Sequence, residues 1–390
     1  MKSYNETAVN IKPSGIRKFF DIVSEMPDAI SLGVGEPDFE TPWHISEEGI
    51  YSLEKGRTFY TSNSGLKELR NQIAKMYERK YHTNYNGENE CLVTVGGSEG
   101  IDLALRALCN PGDEVIIPEP SYVSYIPCTA LIGAFPVTIQ LKAENKFKLT
   151  EAELRKSITH KTKIIILSYP NNPTGAIMTR EDLLPIAKVI EENDLYVISD
   201  EIYSELNYGK EPHVTIASLP GMQERTIVVN GFSKAYAMTG WRLGYVLAPE
   251  KIANLMTKIH QFAIMCAPTT SQYAAIEAVK NGDADILKMR TSYNERRRYL
   301  VKKLSEIGMP AFEPEGAFYI FPSIQSFGMT SDEFATRLLK QEKLAVVPGG
   351  AFGESGEGFV RISYAYSMER LKEAMERMER FVSEIRNERK

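Results

Sequence analysis

Residues 91–108 read CLVTVGGSEGIDLALRAL. The first five form a short apolar run of the kind that becomes a buried strand. After it, Ile101, Ala104, Leu105 and Leu108 recur at i, i+3, i+4 and i+7, the spacing of one helix face, and Asn110-Pro111-Gly112-Asp113 supplies the turn that ends it. Strand and helix therefore meet at Gly96-Gly97-Ser98. The same alternation runs on to about residue 250, with further apolar runs at 114–117, 163–167, 195–199, 226–230 and 244–247. Between two of these, Thr179 followed by Asp182 has the form of a capping box, and Leu183, Ile186, Ala187 and Ile190 supply the apolar helix face behind it. Buried strands separated by amphipathic helices predict an α/β fold, a mostly parallel sheet covered by helices.

At 390 residues the chain exceeds what one hydrophobic core usually serves, so about two domains are expected. The charged helical pattern that begins near Ile286, and the amphipathic run of Met368, Leu371, Met375, Met378, Val382 and Ile385, mark a smaller α/β domain over 286–390. A large domain would span 46–285, with residues 1–45 as an N-terminal arm that joins the small one. Hydrophobic residues make up 43% and no apolar run nears the ~18 residues of a membrane span, so no membrane partner is expected. The polar N-terminus, without a basic and then apolar leader, points to the cytoplasm. Net charge is −5 with both signs interspersed, and the cluster Arg296-Arg297-Arg298 reads as the solvated face of a helix, which argues against nucleic acid. The scattered Cys91, Cys109, Cys128 and Cys266 read as buried thiols, neither metal ligands nor disulfides.

In open α/β sheets ligands bind beyond the carboxyl ends of the strands, so the residues just after each strand carry the chemistry. Gly96-Gly97-Ser98-Glu99 offers close backbone approach and the free N–H groups of a helix start, a site for phosphate or simply a tight turn. Asp200 after the fourth run is either a helix cap or a charge meant for a ligand cation. Lys234, just beyond 226–230, is a solvated lysine or one that forms a Schiff base or binds phosphate.

These positions fall into one order with others: Gly33-Val34-Gly35-Glu36-Pro37-Asp38-Phe39, Tyr60, Gly96 to Glu99, Tyr122, Asn171-Asn172-Pro173-Thr174-Gly175, Asp200 to Tyr203, Lys234 to Arg242, and Arg361. In that order the chain resembles the class I (aspartate/aromatic-type) aminotransferases, enzymes of fold type I that use pyridoxal 5′-phosphate. The resemblance implies that Lys234 holds the cofactor covalently and then carries a proton, that Asp200 pairs with the ring nitrogen, and that Tyr203 and Asn172 hydrogen-bond the ring oxygen. It further implies that Tyr122 stacks on the ring and that Arg242, Gly97, Ser98, Glu99 and Ser233 bind the phosphate, with Tyr60 of the partner subunit in a homodimer with shared sites. Ser233 would compensate for Gly231, where many relatives carry serine or threonine. Arg361 would grip the substrate α-carboxylate, with Gly35, Asn172 and Tyr122 beside it, and no metal is implied.

The implied activity is a ping-pong transfer of the α-amino group of an amino acid to a 2-oxo acid such as 2-oxoglutarate, through the pyridoxamine form of the cofactor. Aspartate aminotransferase, or a β-lyase or synthase of the same fold, stays open as an alternative. A regulator with an added DNA-binding domain is not expected, because the motifs begin by Gly33. Dicarboxylate-specific relatives place an arginine in the region matching 260–268 or a lysine at the position of Ser98. Here stand Phe262 and Ser98, with Ile16, Phe19, Tyr60 and Tyr122 as apolar or aromatic neighbours, so aromatic or broad donors are favoured.

Overall fold

The computed structural model describes residues 2–13, 26 and 28–388. A two-residue strand β1 (Ile30–Ser31) precedes the main sheet. The strands of that sheet are β2 (Cys91–Thr94), β3 (Glu114–Glu119), β4 (Phe135–Gln140), β5 (Thr162–Ser168), β6 (Tyr196–Asp200), β7 (Thr226–Gly231) and β8 (Gly244–Leu247). They lie in the order β2-β8-β7-β6-β5-β3-β4. All run parallel except β8, which is antiparallel to both its neighbours.

Both faces of the sheet are buried, and this is why its strands are apolar throughout rather than alternating. Ile164 and Ile166 face one cluster, built with Ile101, Leu105 and Met256 from helices Gly96–Leu108 and Glu250–Ala263. Ile165 and Leu167 face another, built with Leu183, Ile186 and Ile190 of helix Arg180–Glu192. Each such side chain contributes roughly 1.5–3 kcal/mol of burial. Helix Arg180–Glu192 opens with the capping box the sequence predicts, Thr179 Oγ1 accepting from the Asp182 N–H and the Asp182 carboxylate accepting from the Thr179 N–H at 2.8 Å.

A second core gathers around an antiparallel sheet of β9 (Tyr319–Ile320), β11 (Val347–Pro348) and β12 (Val360–Ser363), order β11-β12-β9. Strand β10 (Leu344–Ala345) pairs in parallel with β1, and Ile30 and Leu32 enter this core beside Leu371, Met375, Met378, Val382 and Ile385 of helix Met368–Glu388. The long helix Asp283–Glu306 touches both cores: Ile286 packs with the main sheet, and Met289, Tyr293, Leu300 and Leu304 pack with the second.

Three expectations need correction. Strand β4 goes unread in the sequence, because it lies at the sheet edge and only one of its six residues is buried. Of the four cysteines, all free, only Cys91 is buried, and burial pushes its thiol up to about 12; the other three are half-buried. The arginine cluster is not a solvated face, since Arg296 and Arg297 are each 7% exposed and only Arg298 is exposed. Arg296 donates to Asp38 at 2.7 Å and lies over the rings of Phe39 and Tyr293. Arg297 donates to Glu313 at 2.7 Å and to the Pro314 carbonyl at 2.9 Å.

Removing the cation of a buried pair leaves an uncompensated carboxylate. Arg296→Ala is therefore expected to destabilise the protein by about 2–4 kcal/mol, somewhat under the full buried-pair loss because Asp38 keeps some water. Arg298→Ala should stay within about 0.5 kcal/mol of the parent. Equal losses in urea denaturation would show that the pairing adds nothing.

Candidate active site

The antiparallel course of β8 decides where the site forms. Because β8 is reversed, its first residue, Gly244, pairs with the last residues of both β2 and β7, Thr94 and Gly231. Arg242, just before β8, thus shares an edge with Gly96-Gly97 after β2 and with Lys234 after β7. Asp200 ends β6 on that edge, level with Ser168 of β5. Arg361 comes from β12 of the second core. A cavity of about 320 Å³ lies where they meet.

Gly35, Gly97, Ser98, Tyr122, Asn172, Asp200, Tyr203, Ser233, Lys234, Arg242 and Arg361 all line it, as the sequence expects. Two expected residues lie off this cavity. Glu99, expected to act through its N–H, sends its carboxylate to His260 Nδ1 at 2.7 Å and to the Val95 N–H, and Tyr60, expected at the partner subunit's site, is 81% exposed on the surface. Phe262 is likewise 84% exposed, and Ile16 and Phe19 lie outside the described residues. The cavity also takes Ile101 and, inside the quoted motifs but given no role there, Gly33, Ile202 and Thr239; Tyr125, Ser168 and Tyr319 are the lining residues the sequence reading missed. Tyr125 falls three residues after Tyr122, a helical spacing that could have suggested it.

The Lys234 ammonium donates to the Gly35 carbonyl at 2.6 Å. Burial is the chief cause that pulls its amine down to about 8; Arg361 and Arg242 pull the same way, while Glu36 and Asp200 oppose them. Asp200 is 7% exposed and accepts from the Tyr125 hydroxyl at 2.6 Å and the Ile202 N–H at 3.2 Å. Burial raises its carboxyl above the ordinary range. A buried carboxylate served only by neutral donors suits a cationic N–H, which would add a charge-assisted bond.

Arg361 is 3% exposed, donates from Nη1 to Asn172 Oδ1 at 2.8 Å and from Nη2 to the Gly33 carbonyl, and is stacked by Tyr319 and Phe352 at 4.4 and 4.8 Å. No carboxylate pairs with it among the described residues, and its buried Nε has no partner. Because arginine can only donate, Asn172 must present Oδ1 to it, and the Nδ2 amide stays free as a donor. At the phosphate end, Gly96 has φ +77°, and a Cβ there would come within 2.9 Å of the Arg242 guanidinium. Glycine thus lets the guanidinium lie against the start of helix Gly96–Leu108, whose first N–H groups are free to meet an anion.

A lysine amine of lowered basicity, a buried carboxylate and a cation at a helix start, together at the carboxyl edge of a mostly parallel sheet, and a second buried cation that meets them from the second core, define a pyridoxal-phosphate site of fold type I. The residues present fit that cofactor at its amine-reactive, ring-nitrogen and phosphate ends. The family description "Aminotransferase class I and II" matches residues 27–378. The chain is 47% identical to an aspartate aminotransferase of Pyrococcus abyssi over 96% of its length and 97% of that protein's. It is 44% identical to aromatic-amino-acid aminotransferase 2 of Thermococcus litoralis, covering 96% and 97%. The crystal structure of an aromatic aminotransferase from Pyrococcus horikoshii superposes with TM-score 0.90 at 46% identity, covering 94% of this chain and 99% of that one. The chain belongs to the class I and II aminotransferases, and it is a pyridoxal-phosphate-dependent transaminase.

The lowered basicity of Lys234 has a measurable sign. Only the neutral amine attacks an aldehyde, so in cofactor-free protein the rate of capture of pyridoxal phosphate, trapped with cyanoborohydride, should rise with pH to a midpoint near 8. Below that midpoint it should fall about tenfold per pH unit. A midpoint above 10, as for a solvated lysine, would show that burial leaves Lys234 unaffected.

Proposed function

We propose that Lys234, Asp200, Tyr203, Asn172, Arg242 and Arg361 divide the work of amino-group transfer among them, and that the donors served best are aromatic. The observation that carries the assignment is that Lys234 shares one cavity with Asp200 and two arginines. Bound there, pyridoxal 5′-phosphate supplies a carbonyl carbon for amines and a cationic ring that accepts the electron pair released at the substrate Cα.

Lys234 Nζ, its basicity lowered to about 8 so that half of it is neutral there, takes the proton from that Cα. The Asp200 carboxylate holds the ring N–H and so keeps the ring cationic. The Tyr203 hydroxyl and Asn172 Nδ2 donate to the ring oxygen, and Tyr122 lies against the ring face. Arg242, Ser233 and the N–H groups of Gly97, Ser98 and Glu99 bind the phosphate. Arg361 takes the substrate α-carboxylate beside Gly35; a lysine there would lack the two-pronged fork.

The cations that line the cavity are Lys234, Arg242 and Arg361, and each already has a duty. No fourth cation among the described lining residues is left for a second carboxylate, which is costly to bury unpaired, whereas an aromatic side chain gains from burial. Exposed apolar side chains, Trp43 at 68%, Phe59 and Tyr60 at 81% and Phe262 at 84%, support a homodimer in which Tyr60 reaches the partner's phosphate. Division of the chain into 1–45, 46–285 and 286–390 is supported by the change of core between Ile286 and Met289. No helix among the described residues is long and apolar enough to cross a membrane, and four free thiols suit the reducing cytoplasm.

Lys234→Ala is expected to lose the visible absorbance of the covalently held cofactor and to slow transamination by several orders of magnitude, about the combined loss of nucleophile and proton carrier. Normal turnover in that variant would end the assignment. With 2-oxoglutarate as acceptor, its second carboxylate met by water or a movable polar group, kcat/KM for phenylalanine and tyrosine should exceed that for aspartate. Aspartate outrunning both aromatics would reveal a cation at the pocket beyond the three named.

A further inference from the structure

Two hydroxyl groups meet at the wall of the cavity. Tyr203 and Tyr319 are both buried, and their phenolic oxygens lie 2.7 Å apart. That bond is the only side-chain partner recorded for either hydroxyl among the described residues. Two protons and one shared bond leave one proton over, and it must find its acceptor in the cavity that both rings line.

Arg361 bears on which proton that is. Its guanidinium sits 4.4 Å from the centroid of the Tyr319 ring. A cation on a ring face draws electron density from the phenol and makes its O–H the stronger donor. Either oxygen can donate in this bond, and the ring that carries the guanidinium on its face is that of Tyr319; this favours Tyr319 as donor and leaves the Tyr203 proton to face the cavity.

Tyr319 is held for this task from two sides. It pairs with Ser363 across β9 and β12, two residues from Arg361. On the other side stands Gly35, where any Cβ would collide with the Tyr319 hydroxyl, so only glycine admits it.

We propose that Tyr319 is a positioning residue for transamination: its hydroxyl aims the Tyr203 proton at the cofactor's ring oxygen, and its ring fixes the Arg361 guanidinium for the substrate carboxylate. The proposal rests on the role given to Tyr203 above. Its two halves are separable, because Tyr319→Phe removes the hydroxyl and keeps the ring, and Tyr319→Leu removes both.

The test uses the holoenzyme and its Tyr203→Phe, Tyr319→Phe, Tyr319→Leu and Tyr203→Phe/Tyr319→Phe variants. Two quantities are read: the apparent pKa of the bound cofactor's visible absorbance, and the Kd of 3-phenylpropionate, a carboxylate with no amine. Tyr203→Phe should raise that pKa by about one unit or more, since a hydrogen bond to a charged oxygen is lost. Tyr319→Phe should raise it by roughly half a unit, through a weaker Tyr203 donor, and should add nothing in the Tyr203→Phe background. The 3-phenylpropionate Kd should stay within about twofold in Tyr319→Phe and weaken about threefold to tenfold in Tyr319→Leu.

A shift in Tyr203→Phe with none in Tyr319→Phe, or a Tyr319→Phe shift that persists without the Tyr203 hydroxyl, overturns the relay alone. An unchanged pKa in Tyr203→Phe overturns the role of Tyr203 itself, and the relay with it.

Discussion

The pairing of Gly244 with Thr94 on one side and Gly231 on the other is the contact on which the cofactor end of the cavity depends. It exists because β8 runs against its neighbours, so a strand start meets two strand ends. The approach is close: a Cβ on Gly244 would lie 2.6 Å from the backbone of Gly96 and Gly97, and one on Gly231 would lie 3.1 Å from Gly244 Cα. Gly231 thus stands where backbone packs on backbone. Phosphate binding at this edge falls to Arg242, Ser233 and the helix start instead of a side chain at 231.

Around that edge the protein keeps charges that lack their natural partners. Among the described residues Arg361 has an amide, a carbonyl and two aromatic faces but no paired carboxylate, and Asp200 has a hydroxyl and an N–H but no hydrogen-bonded cation. Burying charge in this way costs stability. The cost is offset elsewhere, in sheet strands whose side chains are buried on both faces. The pattern differs at Arg296 and Arg297, which are as buried but fully paired and belong to the packing of the second core. Paired buried charge marks architecture here, and unpaired buried charge marks the site.

The central strands and the helices between them were legible because a sheet buried on both sides imposes continuous apolar runs, and capping boxes announce helix starts. Strand β4 was not, since Pro136 and its exposed neighbours are what a sheet edge tolerates and a loop also shows. The two-residue strands of the second core, β9 and β11, are too short for any periodicity to register. Among site residues, those placed after strands could be picked out from position and charge, and the family pattern added Arg361 and Asn172. Tyr319 stayed hidden because it sits in Ala317-Phe318-Tyr319-Ile320-Phe321, a run that composition alone assigns to the core. Arg296 and Arg297 were misread because a run of like charge implies solvent until the carboxylates of Asp38 and Glu313 are seen beside it.

The two walls of the cavity are made of different material. The phosphate wall is closely packed at three glycines: Gly231 and Gly244 meet main chain, and Gly96 meets the Arg242 guanidinium. The opposite wall is side chain: Tyr122 and Tyr319, with Phe352 stacked on Arg361 behind them. A substitution on the first disturbs three strand ends at once, while one on the second leaves the strand ends in place and acts through the side chains that meet cofactor and substrate. The first wall answers to the backbone, and the second to the chemistry it faces.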